Sequence, residues 1–494
     1  YTEENTLSLH DALPIWMCRM EFYLVLAAST VGIAGLAALL YARTVSLSFP
    51  LGIAFLYFWS LYGGWSIVAD GLGADSQQQH HYLYWKVFPV ELNEEYLWTL
   101  LLYALFVLVI ELTLLAVVRS DRPHMDQAAE ALWISHTVLL VIAALAAGTS
   151  FLIVKDQLAT AVLLGKSGYS VTRGGLGEMV PLFTLHQVLN RVALFSLAIG
   201  IGVWFTGRQG RWLAGNATLV TGAGYSVLLG GMFLYVTALG NKNELFSALI
   251  LGGFFHLANT RRVKWGFVGA GAGMMFMGIG LVDFLRAFPL IDLWEGGAWW
   301  DAVQWVPEIH ASNEAFGAHL SLYGALYFHS PLTYGSSLTA LLFSVVPRIL
   351  WPERPGDIYS HYASSVGIVE GVGEQGFSIH HATGWYLNFG LPGLLFGAVL
   401  WGWIWGRCFN AYLCAEATRD RGGRWRYAFA VMAPWGFVAY IPPLIRAGLE
   451  GYKGLVIEGL LVPMLVVSIA SFGSGLLARL FAPLSMAAAP APTE

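Results

Sequence analysis

The chain alternates long apolar runs with short polar connections, and the runs have the length of a membrane crossing. Eleven helical spans are predicted, near residues 22–41, 47–68, 96–118, 131–154, 187–206, 217–239, 245–259, 265–286, 384–406, 428–446 and 455–478. An α-helix crosses a ~30 Å hydrocarbon layer in about 20 residues. The seventh run is the shortest. Between the eighth and ninth runs the pattern changes, and residues 287–383 hold no run of membrane length. "SNEAFGAHLSLYGALYFH" (312–329) places Phe316, Leu320, Tyr323 and Tyr327 along one helical face, which predicts a helix lying at the membrane surface. "SLTALLFSVV" (337–346) is apolar over only part of a membrane thickness and predicts a re-entrant segment. No internal repeat is visible, and an Ala/Pro tail follows Met486.

Composition supports this reading. Hydrophobic residues make up 57% of the 494 positions and the mean hydropathy is +0.61. Charged residues are 12%, against about 25% in a soluble protein. The charges behind the net -5 fall mostly in loops, and no basic patch points to nucleic acid. Cys18, Cys408 and Cys414 have neither metal-ligand spacing nor the pattern of a disulfide framework. Twenty tryptophans suit aromatic belts at the two interfaces. The opening "YTEENTLSLHDALPI" has no relation to the rest of the chain and resembles translated sequencing-adapter read-through. Residues 1–16 are therefore set aside as a non-native leader, with a natural start expected at Met17 or Met20. The run from Phe22 to Leu40 is too long for a signal-peptide core and reads as a retained span.

Lys and Arg in short loops set the orientation. Fourteen of the 26 fall on one side, among them Arg43, Arg119, Arg208, Arg261 and the group from Arg419 to Arg426, and ten fall on the other. The richer side is read as cytoplasmic, so the N-terminus lies outside and the C-terminus inside. The expectation is an all-α, polytopic integral membrane protein of about eleven transmembrane helices. It has an eight-span part (17–286), a periplasmic segment (287–383), a three-span part (384–480) and a flexible tail (481–494).

The candidate chemistry concentrates in the outer segment. That segment holds nine acidic residues, six of the thirteen histidines, and two basic residues, Arg348 and Arg354. Both arginines sit in "VPRILWPERPGDIY" (346–359). Pro347, Pro352 and Pro355 cannot continue a helix, so the apolar segment must break there. The guanidinium groups either grip phosphate oxygens at headgroup depth through paired hydrogen bonds or snorkel to the interface beside Trp351. In "GFSIHHATGWYLNFGLPGLL" (376–395), His380 and His381 are suited to moving a proton from a sugar hydroxyl, or else to bonding headgroups and water. In "ALGNKNELFSA" (238–248), Lys242 either pairs with Glu244 or touches a diphosphate, and Arg446 after "YIPPLI" is similar. Glu111, Arg191, Asp283 and Glu458 are charges within predicted spans.

These stretches carry a family resemblance. "VPRILWPERP" resembles the proline-arginine-tryptophan-proline segment of bacterial O-antigen and oligosaccharide repeat-unit polymerases of the Wzy type. "GWYLNFGLPGLLFGAVLWG" resembles that family's entry from an outer loop into a span through an asparagine-phenylalanine-glycine turn. "GNKNELFSALIL" resembles its basic turn after a middle span. "HHATGWYLNFGLPGLL" also resembles the histidine-led segment of the related O-antigen ligases. The motifs cover about residues 238–250 and 345–400. The chain departs from the pattern at Gly384 and Trp385, where the polymerases often carry a glutamate, and at Lys242, where they often carry arginine.

The resemblance implies transfer of a glycan from a polyprenyl diphosphate carrier to a hydroxyl of an incoming lipid-linked unit, on the outer face of a bacterial inner membrane. It implies Arg348 and Arg354 as the groups stabilising the departing diphosphate, with Lys242 and Arg446 assisting. His380 or His381 would serve as base, with Glu353, Asp357 and Glu374 in reserve and Tyr386 near the substrate. No cofactor or metal is implied. Partners would be polyprenyl-diphosphate-linked oligosaccharides, the bilayer, a chain-length regulator and a flippase. An O-antigen ligase is the nearest alternative. A polysaccharide transporter or flippase is the non-enzymatic one, and it would predict internal repeats and broken helices meeting at the midplane.

Overall fold

The structure is a computed structural model. It describes residues 9–70, 91–119, 132–164, 180–210, 213–240, 242–259, 314–343, 358–366 and 378–480, together with 171, 266, 269–274, 277–278, 281–282, 300 and 351. In chain order its helices are α1 (Leu9–Thr44), α2, α3 (Glu94–Val117), α4 (His136–Leu163), α5 (Val180–Thr206), α6 (Leu219–Leu239), α7 (Lys242–Asn259), α8 (Glu314–Tyr327), α9 (Ser336–Phe343), α10 (Ile358–Ser365), α11 (His381–Leu413), α12 (Ala415–Arg446) and α13. Helix α2 runs as Ser48–Tyr57, a π-helical turn Phe58–Tyr62, and Gly63–Asp70. Helix α13 runs as Gly451–Gly454, a second π-helical stretch Leu455–Leu461, and Val462–Leu480. The strands are β1 (Leu132–Trp133) and β2 (Leu213–Ala214), which pair in parallel.

The chain is an all-α membrane protein. Among the described residues, eight helical stretches are long and apolar enough to cross a bilayer: Arg19–Thr44, Ser48–Ala69, Glu94–Val117, His136–Leu163, Leu185–Gln209, Leu219–Leu239, His381–Leu413 and Gly448–Phe472. They correspond to eight of the eleven predicted runs. Of the remaining three, 245–259 is helical within α7, but its apolar part, Leu245–Leu257, is short. The run 428–446 forms the end of α12, which carries Pro434, Pro442 and Pro443 and is not among the eight. The run 265–286 lies largely outside the described residues. Helix α1 begins at Leu9, inside the segment set aside as a leader.

Contacts divide the chain into two compact units that differ from the sequential blocks read from the sequence. The first is Tyr1–Pro123, Trp300–Cys414 and Ala433–Leu460, and the second is His124–Trp299, Ala415–Met432 and Leu461–Glu494. In the first unit, α3 packs on α1 and α11. Its approach to α11 depends on Gly402 and Gly406, a small-xxx-small pair. A Cβ at Gly402 would lie 2.7 Å from the Ile110 carbonyl oxygen and 2.8 Å from Thr113 Cβ. At Gly406 it would lie 2.8 Å from Val117 Cγ1. Asn410 fastens the end of the pair, donating to the Val117 carbonyl (2.9 Å) and accepting from the Arg119 N–H (3.0 Å). Helices distant in sequence thus join because their small residues match, which the order of spans does not reveal.

Helix α8 is the helix predicted at the membrane surface, and the structure corrects its setting. Residues 318–325 are buried on every side, between the π turn of α2, α3 and α11. Ala318, Gly324 and Ala325 let it fit, while His319 and Ser321 find partners inside. In the second unit, α5 is central and packs against α4 and α7. Asn259 clasps β2 there, accepting from the Leu213 N–H (3.0 Å) and donating to its carbonyl (2.8 Å).

Replacing Gly402 with Leu forces the two backbones apart at a cost of ~1–3 kcal/mol. A clear drop in Tm is expected for detergent-solubilised protein. Gly230→Ala is the control, because nothing lies within 4 Å of its Cβ position. Equal Tm values for the two variants would contradict the packing described.

Candidate functional site: a broken helix above buried histidines

Helix α11 is interrupted. Phe389 (φ -141°, ψ 17°) and Gly390 (φ 64°, ψ -146°) leave the helical conformation. Gly390 adopts a backbone conformation that a side chain would disfavour. Pro392 then sits in the first turn of the resumed helix, where its missing N–H costs little. "NFGLPG" therefore encodes a stop and a restart.

The break frees carbonyl oxygens that a continuous helix would satisfy. The segment before α9 supplies the donors. Thr333 N–H bonds the Leu387 carbonyl at 2.7 Å, and Tyr334 N–H bonds the Asn388 carbonyl at 3.0 Å. The Asn388 amide completes the joint. Its nitrogen donates to the Gly384 carbonyl (2.7 Å) and lies 2.7 Å from Ser337 Oγ, and its oxygen accepts from Thr333 Oγ1 (2.9 Å). Non-helical backbone at membrane depth is tolerated where protein covers it or where it lines a cavity. At the far end of α9, Phe343 packs edge-on against Trp351, with ring centroids 5.1 Å apart. The tryptophan of "PRILWPERP" and the asparagine of "YLNFG" are thus linked through one short helix.

Three histidines lie beneath this joint, all buried. The Nδ1 of His319 lies 2.7 Å from the Ser60 carbonyl, which only accepts, so Nδ1 carries the proton. Its Nε2 then accepts from the Tyr96 hydroxyl at 2.9 Å. His380 caps α11 by accepting the Ala382 N–H on Nδ1 (3.1 Å), so its Nε2 donates to Ser60 Oγ (3.0 Å). His381 donates from Nδ1 to the Gly448 carbonyl (2.6 Å) and accepts the Trp385 indole N–H on Nε2 (3.1 Å). Ser60 occupies the π-helical turn of α2, a feature often found at functional positions. Ser321 Oγ accepts the His380 N–H (2.9 Å) and lies 2.9 Å from Thr383 Oγ1. The Tyr103 hydroxyl donates to the His319 carbonyl at 2.8 Å.

Burial sets the electrostatics. Desolvation holds His319 down at about 4, and holds His380 well below the ordinary histidine range. A general base needs a lone pair within reach of the hydroxyl it deprotonates. In this arrangement the lone pairs of all three rings are already taken by N–H or O–H donors.

The other predicted site residues are dispersed. Arg446 ends α12, and its carbonyl accepts from the Ile379 N–H at 3.1 Å, while the Gly448 N–H returns to the Ile379 carbonyl at 2.8 Å. Tyr386 lies half-buried on α11 ahead of the break. Lys242 opens α7 in the second unit, with its side chain outside the described set. Arg348, Glu353, Arg354, Asp357 and Glu374 lie outside the described residues, as does Asp283. Glu458 accepts from the Tyr440 hydroxyl at 3.0 Å.

Sequence reasoning gave no role to Ser60, Tyr96, Tyr103 or His319. The available signal was polar residues set inside otherwise apolar runs. It also missed a cluster in the second unit, where Ser150 Oγ lies 2.6 Å from Asn190 Oδ1, 2.8 Å from His186 Nδ1 and 3.2 Å from the Tyr235 hydroxyl. No protein-family model, curated protein or solved structure matches the chain.

The buried rings make the first unit acid-sensitive. The folded state takes up a proton on His319 only near pH 4, whereas a free imidazole does so at 6.5. The folded value is the lower one, so the stabilisation is complete above about 6.5 and is lost as pH falls toward 4. The window corresponds to about 3 kcal/mol. Tm measured from pH 7.5 to 4 is expected to fall steeply in the wild type. In His319→Gln, Tm starts lower but has a flatter acid limb. An unchanged acid limb in the variant would remove His319 from this account.

Proposed function

We propose that the protein polymerises lipid-linked oligosaccharide repeat units on the outer face of a bacterial inner membrane. The growing glycan leaves its polyprenyl diphosphate and joins a hydroxyl of the incoming unit. The observation that carries this reading is the link between the break in α11 and Trp351 through α9, because it joins the two motifs on which the family resemblance rests. Trp351 stands three residues from Arg348 and three from Arg354. In this reading the two guanidinium groups meet the diphosphate as its bond to the anomeric carbon breaks and negative charge builds on the leaving oxygen.

The acceptor hydroxyl oxygen forms the new bond to that carbon and gives its proton to a base. Because the lone pairs of His380 and His381 are committed, we assign these residues to positioning the start of α11. The base is then a carboxylate of the same outer segment, Glu353, Asp357 or Glu374. Lys242, Arg446 and Tyr386 remain candidates for contacts with the substrate.

The test is the glycan ladder on a gel, in a host that supplies the matching repeat-unit locus. Arg348→Ala and Arg354→Ala are each expected to leave single repeat units on the lipid core, with normal amounts of protein in the membrane. Arg→Lys at either position is expected to restore little, because lysine lacks the paired fork. A full ladder in the arginine variants would reduce both residues to interfacial anchors. If loss of the wild-type protein instead strands finished glycan on its carrier, the protein is a ligase.

A further inference from the structure

Glu111 lies within the membrane-spanning length of α3, in the run "LFVLVIELTLLAV". It is fully buried (0% exposed), and neither carboxyl oxygen has a hydrogen-bond partner among the described residues. The contrast with Glu458, which accepts from Tyr440, is direct. Nothing in the proposed glycan chemistry uses Glu111.

The helix faces define its surroundings. The α3 line through Leu108 and Leu115 lies on α1. The Leu108 side chain is 3.7 Å from the Cβ position of Gly32, and the Leu115 carbonyl accepts from Arg43 Nη1 at 2.5 Å. The line through Ile110 and Thr113 lies on α11 at Gly402. At 100° per residue, Glu111 falls beside the α1 line, on the side of the fully buried Val107 and Leu114. The buried residues of α1 along its middle are Ile33, Ala37 and Leu40, and those of the first part of α2 include Phe49, Ile53 and Leu56.

The titratable groups of the neighbouring helices are engaged elsewhere or lie toward helix ends. Arg43, in the last turn of α1, donates to the Leu115 carbonyl, one turn along α3 from Glu111. On α2, Tyr57 bonds Thr30 and Trp65, and Tyr62 stacks on Phe58. On α8, His319 and Tyr323 bond near the start of α3. On α11, His381 and Tyr386 lie before the break, and Arg407, Cys408 and Tyr412 lie in its last turns. The remaining titratable residues within the α1 span are Arg19, Glu21 and Tyr23 near its start and Tyr41 at its end.

A lone carboxylate in such a place would be an uncompensated charge, which proteins avoid by pairing or by neutralisation. A metal cation would require several further oxygen ligands, and Ile33, Ala37, Leu40, Phe49, Ile53 and Leu56 supply none from their side chains. A proton needs no second ligand. We propose that Glu111 is an intramembrane proton-binding site, held as the neutral acid in the folded protein. Ionisable residues inside membrane spans commonly serve proton movement, so this assigns the span a chemistry separate from glycan transfer.

Carbodiimides read this directly, because the acid proton passes to the carbodiimide nitrogen as the carboxyl oxygen adds to its carbon. Full-length protein in membranes would be treated with the apolar dicyclohexylcarbodiimide or with a water-soluble carbodiimide, and the peptide carrying Glu111 would be examined by mass spectrometry. The expected result is an adduct from the apolar reagent only. It is lost in Glu111→Gln and unaffected by excess sodium or potassium. Glu111→Gln, a neutral near-isostere, should have a Tm at pH 7 no lower than the wild type's and should flatten the fall of Tm as pH rises above the ordinary carboxylate range, where the unfolded wild-type chain ionises. Labelling by the water-soluble reagent, protection by an alkali cation, absence of any adduct, or a large fall in Tm at pH 7 in Glu111→Gln would each overturn the assignment.

Discussion

The carbonyls of Leu387 and Asn388 set the terms for the first unit. In a continuous helix each would accept an N–H from four residues on. Left bare at membrane depth, each would cost several kcal/mol. Once Phe389 and Gly390 leave the helix, something must take the place of those donors, and the backbone of Thr333 and Tyr334 does so. The position of α9 is then set, because Ser337 in its first turn bonds the Asn388 amide. The position of Trp351 is set in turn, through Phe343. One break in one helix is thus linked, through α9, to a tryptophan far away in sequence.

A similar logic governs the ground beneath it. Gly448, with φ of 51°, turns the chain so that its carbonyl meets His381 and its N–H meets Ile379. The π turn of α2 presents both polar groups of Ser60, the carbonyl to His319 and the hydroxyl to His380. Neutral imidazole suits this work because it offers one donor and one acceptor at a fixed separation. Two such rings bridge α2 to α8 and to the start of α11 without introducing charge. Their chemical versatility is used up in holding the backbone. This explains why residues that look like bases in the sequence look like joints in the fold.

Much of the fold was legible because membrane burial writes a coarse signal. Eight of the predicted runs correspond to helices long and apolar enough to span. The break in α11 was less legible: the run 384–406 reads as one span, although Gly390 and Pro392 come soon after Asn388 and such residues can punctuate a helix. Helix α8 was misjudged because periodicity reports which positions are apolar and not what faces the polar ones. Tyr323 and Leu320 do lie on an apolar face, but His319 and Ser321 are buried as well, each with partners hundreds or tens of residues away. The pairing of α3 with α11 was hidden for a similar reason, since Gly402 and Gly406 name no partner until the helices are assembled.

Satisfied and unsatisfied polar groups therefore carry different information here. His319, His380, His381 and Asn388 have their hydrogen-bonding capacity matched, which marks them as structure. Such groups can leave their bonds only at the expense of the joint they form. The charged groups that the proposed chemistry needs, Arg348, Arg354 and the nearby carboxylates, come after α9 in sequence, on either side of Trp351. Polar groups matched in this way hold backbone in place and leave the charge-based chemistry of the proposal to other residues. Glu111 stands apart from both. Its oxygens have no hydrogen-bond partner among the described residues, and a proton is the one ligand small enough to need no cage.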